Sequence, residues 1–180
     1  LFRSHSMGGL VAARFVAMHL RPVDALVLSS PALDPGLNAV QKVLLATLPG
    51  VAPNLRISNG LDAQYLSHDP TVVAAYQADP LCHDRISARL ARFIADGGPA
   101  TVARAAHWSV PTLLMWAGDD RLVQPAGSAA FAAAAPRGVV ESRCFESLWH
   151  ELFNEQDAAP VFAALRQWLD ARFPLKTIQK

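Results

Sequence analysis

The sequence predicts an α/β protein with a mainly parallel sheet and helices on both faces, on three observations. It contains two separate strand–helix–strand patterns. Its strand runs are apolar on consecutive residues, as in strands buried on both faces. A strand-poor stretch lies between the two patterns.

Leu1-Phe2 reads as the end of a strand, and Ser6 to Gly9 turns into a segment whose apolar residues Leu10, Ala13, Val16, Ala17 and Leu20 recur at helical spacing. Pro22 breaks that helix, and Ala25-Leu26-Val27-Leu28 follows as a buried strand. The second pattern opens at Pro111. Thr112 to Trp116 is a strand run, Ala126 to Ala135 is helix-like, and Val139-Val140 starts a strand ending near Phe145. A last helix is expected over Ala159 to Phe173, where Val161, Phe162, Leu165, Trp168 and Leu169 share a face and Pro160 fits a first turn. Between the patterns, residues 33–107 read as a helical insertion without strands. Within it, Leu37 to Leu48 is apolar around more than half its circumference, as expected of a helix covering a cleft or sandwiched between neighbours.

A chain of 180 residues suits one domain carrying such an insertion, and 52% apolar against 17% charged residues excludes a disordered chain. Lys and Arg number 16 against 15 Asp and Glu, with no basic block, which argues against nucleic acid as a partner. Cys82 and Cys144 form no CxxC pair, and the spacing of Asp79, Cys82, His83 and Asp84 fits no common metal site, so neither a metal nor a cofactor is expected. Lys42, Pro49 and Pro53 interrupt the best apolar runs, excluding a membrane-spanning helix. The chain starts Leu1-Phe2-Arg3-Ser4 with no visible signal peptide, consistent with truncation.

Ser4-His5-Ser6-Met7-Gly8-Gly9 sits where a strand gives way to a helix, the context in which a serine between small residues reads as a nucleophile elbow. Ser4 stands where glycine is usual, adding a side chain at the tightest point of the turn. Ser58-Asn59-Gly60 repeats the triplet but follows no strand run and reads as a turn. An activated serine needs an imidazole to take its proton and a carboxylate to hold the imidazole in one tautomer. Asp119 and Asp120 follow one late strand and His150 follows the next, so serine, acid and histidine fall in order at carboxyl ends of strands, where sites of open parallel sheets collect. Either aspartate would serve. His5, His19, His68, His83 and His107 lack such a placement and read as surface or ordinary core residues.

These runs, with Trp116 to Val123, Leu148 to Glu155 and the Asp79-Pro80-Leu81 stretch, resemble monoacylglycerol lipases and bacterial lysophospholipase-like enzymes of the α/β-hydrolase superfamily, over most of residues 4–170. The resemblance implies an α/β-hydrolase fold with a helical cap at 33–107, and a serine hydrolase acting through an acyl-enzyme. Ser6 takes the place of the family nucleophile, His150 its base, and Asp120, directly before Arg121-Leu122-Val123, its acid. Met7 would supply one oxyanion-hole amide from its backbone. The family draws the other from a His-Gly loop after an early strand. This chain begins at the elbow, so the expectation is a carboxyl-terminal fragment lacking that loop and the amino-terminal strands.

The same resemblance points to a small-molecule lipid ester as substrate, monoacylglycerol or a lysophospholipid, with Leu37, Val40, Leu44 and Leu48 as acyl-binding cap residues beside Val43 and Leu45. A cytoplasmic protein touching a membrane or micelle peripherally through the cap is the expectation. Two alternatives stand beside it. One keeps the same three residues for a general carboxylesterase, perhydrolase or acyltransferase. The other is a catalytically silent fragment that binds lipid or a partner.

Overall fold

A computed structural model describes residues 1–174. In chain order the elements are β1 (Phe2–His5), α1 (Ser6–Ala17), β2 (Leu26–Ser29), α2 (Ala39–Val51), β3 (Arg56–Ser58), α3 (Pro70–Ala78), β4 (Arg85–Ser87), α4 (Ala88–Val102), β5 (Thr112–Ala117), α5 (Pro125–Ala134), β6 (Val140–Phe145) and α6 (Ala159–Arg172). The main sheet runs β1-β2-β5-β6 and every pairing in it is parallel. Register pairs Ser4 with Leu28, Leu28 with Leu114, and Ala117 with Phe145.

Consecutive apolar residues in the two central strands supply both faces. Leu26, Leu28 and Leu114 join Leu10, Ala13, Val16 and Phe131 in the core on the α1 side. Val27, Leu113 and Met115 join Leu152, Val161 and Trp168 on the α6 side. All four residues of β2 are buried. Burying a Leu or Val side chain fully contributes roughly 1.5–3 kcal/mol, so these strands fix the orientation of everything attached to their ends.

The structure departs from the sequence reading in three places. Residues 33–107 are not purely helical: β3 and β4 form an antiparallel ribbon pairing Ile57 with Ile86. At three residues each, these strands are too short for a period to register. The helix after Gly9 stops at Ala17, well before Pro22; His19 turns the chain at φ 51°, and Leu20 is exposed. Finally, α2 is not sandwiched. Leu45 is its one buried residue, while Val40 is 77% and Val43 67% exposed. Asn38 caps this helix, its side chain accepting from the Gln41 N–H at 2.9 Å.

The end of that stretch, α4, lies against α1 in the sheet's helical layer, and glycines set how closely it approaches. A Cβ on Gly97 would sit 3.6 Å from the Leu10 side chain, an ordinary contact. A Cβ on Gly98 would overlap the Leu33 carbonyl, which is backbone and cannot swing aside. Gly97→Ala is therefore expected to stabilise by about 0.5–1 kcal/mol, the usual gain of alanine over glycine inside a helix. Gly98→Ala should instead destabilise by roughly 1–3 kcal/mol, because the backbones must separate. Denaturant unfolding of the two variants checks this; equal effects would mean that α4 is not seated as described.

Candidate active site

Three side chains from distant parts of the sequence meet at the carboxyl edge of the main sheet. Ser6 follows β1 directly, Asp120 lies three residues beyond β5, and His150 lies five beyond β6. His150 Nε2 is 2.8 Å from Ser6 Oγ, and His150 Nδ1 is 2.7 Å from Asp120 Oδ2. The imidazole thus faces the hydroxyl with one nitrogen and the carboxylate with the other.

Ser6 occupies the left-handed region at φ 52°, a conformation costing a non-glycine residue on the order of 1–3 kcal/mol. Its surroundings hold it there. The Ser6 carbonyl accepts the Ala32 N–H at 3.0 Å, tying the turn to the chain leaving β2. A Cβ on Gly9 would press on Pro31, and one on Gly8 would lie 2.8 Å from Ser4 Oγ. The hydroxyl of Ser4 therefore occupies the space that the turn leaves above Gly8, which is how a serine fits where glycine is usual. Met7 is the second residue of α1, so its N–H belongs to the first helical turn, whose amides have no partner within the helix.

Geometry separates the two aspartates that composition left equivalent. Asp120 is 8% exposed; its Oδ1 accepts the Leu122 and Val123 N–H groups, both at 2.9 Å, leaving Oδ2 for His150. Asp119 points the other way, to Arg121 at 3.2 Å and to Trp149 Nε1 at 3.0 Å. Those hydrogen bonds, Trp149 foremost, hold the Asp119 carboxyl below its ordinary range.

The cap residues are not brought to this cluster. Val40 and Leu44 are exposed, and Leu37 and Leu48 are half-buried. Leu37 lines a crevice of about 280 Å³ between α2 and α4, with Lys42, Arg92 and Asp96. A larger cavity of about 390 Å³ lies beside β1, lined by Arg3, Ser4, His5 and residues 151–154, but neither Ser6 nor His150 faces it.

Two residues near the cluster escaped the sequence reading. His5 was grouped with the ordinary histidines, yet its ring lies 4.7 Å from that of His150. Its Nδ1–H donates to the Ser29 carbonyl at 3.0 Å. Burial, with the neighbouring His150 second, lowers its pKa to about 4. Adjacency to Ser6 was the available signal. Glu155, the last residue of the Leu148 to Glu155 run, is 7% exposed and bonded to His68. Nothing in the sequence marks it as buried. His19, His83 and His107 are exposed, as read.

His5 makes stability depend on pH with a definite sign. Unfolded, it binds a proton near pH 6.5; folded, only near pH 4, so between these values the unfolded chain holds more protons and stability falls as pH falls. The loss attributable to His5 approaches roughly 3 kcal/mol by pH 4. His5→Asn, whose amide can still donate to Ser29, should flatten the stability profile between pH 4 and 6.5, as measured by urea unfolding. An unchanged slope would show that His5 is not the group responsible.

Comparison with known proteins identifies the family. Residues 2–157 match the family described as serine aminopeptidase, S33. The chain is 34% identical over 168 residues to a monoacylglycerol lipase of Mycolicibacterium smegmatis, covering 92% of this chain and 60% of that protein. It is 34% identical over 170 residues to a phospholipase of Bacillus subtilis, covering 92% and 66%. The crystal structure of a Paleococcus ferrophilus monoacylglycerol lipase superposes with a TM-score of 0.87 at 30% identity, over 94% of this chain and 67% of that one. The chain thus spans about two thirds or less of the length of these relatives. With the family match over most of its residues, the chain belongs to the serine aminopeptidase S33 family and carries part of an α/β-hydrolase fold.

Proposed function

We propose that this chain forms the catalytic part of a serine ester hydrolase that cleaves long-chain monoacylglycerol or lysophospholipid-type esters through an acyl-enzyme on Ser6. The observation that carries the reading is the unbroken line Ser6 Oγ to His150 Nε2 to His150 Nδ1 to Asp120 Oδ2, at 2.8 and 2.7 Å. His150 Nε2 takes the Ser6 proton as Oγ attacks the ester carbonyl carbon. The oxyanion of the tetrahedral intermediate gathers at the start of α1, where the Met7 N–H is free to donate. His150 then gives its proton to the departing alkoxide, the ester C–O bond breaks, and the acyl group stays on Ser6. Water, deprotonated by the same nitrogen, attacks that acyl ester; the acyl C–Oγ bond breaks, Ser6 Oγ takes the proton back from His150 Nε2, and the fatty acid leaves. Asp120 keeps the proton on Nδ1 throughout and stabilises the imidazolium, its Oδ1 already saturated by two backbone amides.

Support for a lipid ester comes from the similarity to proteins named monoacylglycerol lipase and phospholipase, and from the exposed stripe on α2. Val40, Val43 and Leu44 cover one exposed face, and Val51 continues it at 88% exposure. Such a stripe suits contact with an aggregated lipid surface better than the lining of a tunnel. None of the described helices is long and apolar enough to cross a membrane.

Ser6→Ala in the full-length protein is expected to lower kcat by on the order of 10⁶-fold with the fold intact, and a fluorophosphonate probe should label Ser6 alone. Labelling elsewhere, or retained turnover, would remove Ser6 from its role. Asp120→Asn should cost about 10⁴-fold by releasing the wrong tautomer of His150, and Asp119→Asn far less. Equal losses would contradict the assignment of the acid.

For the cap, Val40→Asp with Leu44→Asp should leave the melting temperature nearly unchanged, since both side chains are exposed. The same variant should raise KM for long-chain monoacyl esters in micelles at least fivefold more than for short soluble esters. Uniform effects across chain lengths would detach α2 from substrate delivery and favour a general carboxylesterase.

A further inference from the structure

We propose that Glu155 is a positioning residue for the base: its carboxylate clamps the loop bearing His150 to the segment 66–69, so that the chain packed over the loop helps to set the aim of His150 at Ser6. The proposal rests on the reading of Ser6 and His150 as nucleophile and base.

Among the described residues two carboxylates are buried, Asp120 and Glu155. His150 accounts for the first. The side chain of Glu155 is 1% exposed, and a carboxylate in that position is tolerated only when its oxygens are fully partnered. Oε1 accepts the Trp149 N–H and the His68 Nδ1–H, each at 2.8 Å. Oε2 accepts the His68 and Gln156 N–H groups at 3.2 and 3.3 Å. Around this carboxylate the two segments are laced together: the Glu151 N–H donates to the Leu66 carbonyl at 2.9 Å, Ser67 Oγ–H to the Asn154 carbonyl at 2.8 Å, and Gln156 Nε2–H to the His68 carbonyl at 3.0 Å. The His68 ring stacks on Trp149 at 3.8 Å.

The decisive contact is with Trp149, because that residue immediately precedes His150. Its N–H fixes the backbone from which the imidazole departs. Apolar packing cannot do this alone: Leu152 anchors the far side of the loop in the core, but Trp149 is only half-buried. Glu155 touches neither Ser6 nor His150 and moves no proton. It acts through the 2.8 Å distance between Nε2 and Oγ, and a displacement of about 1 Å in a reacting group can cost on the order of 10²-fold in rate.

Kinetics on p-nitrophenyl butyrate, a short soluble ester, test this in the full-length protein. Glu155→Ala is expected to lower kcat 30- to 100-fold with KM within twofold of the parent, and fluorophosphonate labelling of Ser6 should slow in parallel. Glu155→Gln should recover kcat to within about fivefold, since one amide oxygen can still accept from Trp149 and His68. The proposal is overturned if Glu155→Ala keeps kcat within threefold, or if both variants lose the same activity in proportion to the same drop in melting temperature. Should Glu155→Ala fail to fold, Glu155→Asp decides instead, since its carboxylate is one methylene short of the Trp149 N–H: a fall in kcat of more than threefold at unchanged KM supports the clamp, and kcat within threefold of the parent overturns it. Failure of the underlying reading looks different, because the parent itself would then go unlabelled at Ser6 or Ser6→Ala would stay active.

Discussion

Everything at the carboxyl edge of the sheet depends on one backbone constraint, the left-handed turn at Ser6. A serine at φ 52° is unfavourable by itself, so the turn persists only because its neighbours leave no other arrangement. Gly9 lies against Pro31, Gly8 against the Ser4 hydroxyl, and the Ser6 carbonyl is held by the Ala32 N–H. Pro31 and Ala32 belong to the chain leaving β2, whose four residues are all buried, and Ser4 belongs to β1. Core packing thus passes its rigidity to Ser6 through Pro31 and Ala32. The helix that begins at this turn points the unpaired amides of its first turn toward the same place, so the strain and the position of the Ser6 hydroxyl beside those amides are one structural event.

A second constraint is electrostatic. The proposed chemistry needs His150 to become positive while 3% exposed, and the buried charge in contact with it is Asp120. A second cation nearby would undo that. His5 sits 4.7 Å from His150 between ring centres, where two positive charges would repel by roughly 3–4 kcal/mol at an effective dielectric of about 20. The fold removes the problem by burying His5 and binding its Nδ1–H to the Ser29 carbonyl, which leaves it neutral at the pH where His150 works. The low proton affinity of His5 keeps a second positive charge away from the His150 ring.

The elements that were legible in the sequence are those whose signal lies within a few residues. Leu26 to Leu28 and Thr112 to Trp116 announce buried strands by consecutive apolar residues, and Ser6, an aspartate pair and His150 follow strands in a fixed order. What was illegible depends on partners far away in the chain. Glu155 looks like any surface glutamate until His68 arrives, 87 residues earlier. The choice between Asp119 and Asp120 turns on which one finds the amides of Leu122 and Val123, and the family pattern, not composition, singled out Asp120. The apolar circumference of Leu37 to Leu48 suggested either a cover or a buried helix. It could not reveal that Val40 and Val43 face outward, because periodicity reports which faces are apolar and is silent on what meets them.

The placement of the inserted stretch explains how so much chain can hang from this sheet without loosening the site. Residues 30–111, 82 in all, connect β2 to β5, where a parallel crossover needs only about a dozen. Closing the longer loop costs only about 2 kcal/mol more than closing the minimal one, since the entropy grows with the logarithm of length. The sheet therefore scarcely feels the insertion, while β1, β5 and β6 carry Ser6, Asp120 and His150 beyond their carboxyl ends. Such independence carries a difficulty, for a weakly attached cover would move independently of the groups it must serve. The attachments answer it unequally. Gly98 lets α4 touch the Leu33 backbone and join the core, whereas α2 keeps a single buried residue, Leu45. Between these extremes, the segment 66–69 is bound through Leu66, Ser67 and His68 to the loop bearing His150, so this part of the inserted stretch is tied to the proposed base by hydrogen bonds, as α4 is tied to the core by packing.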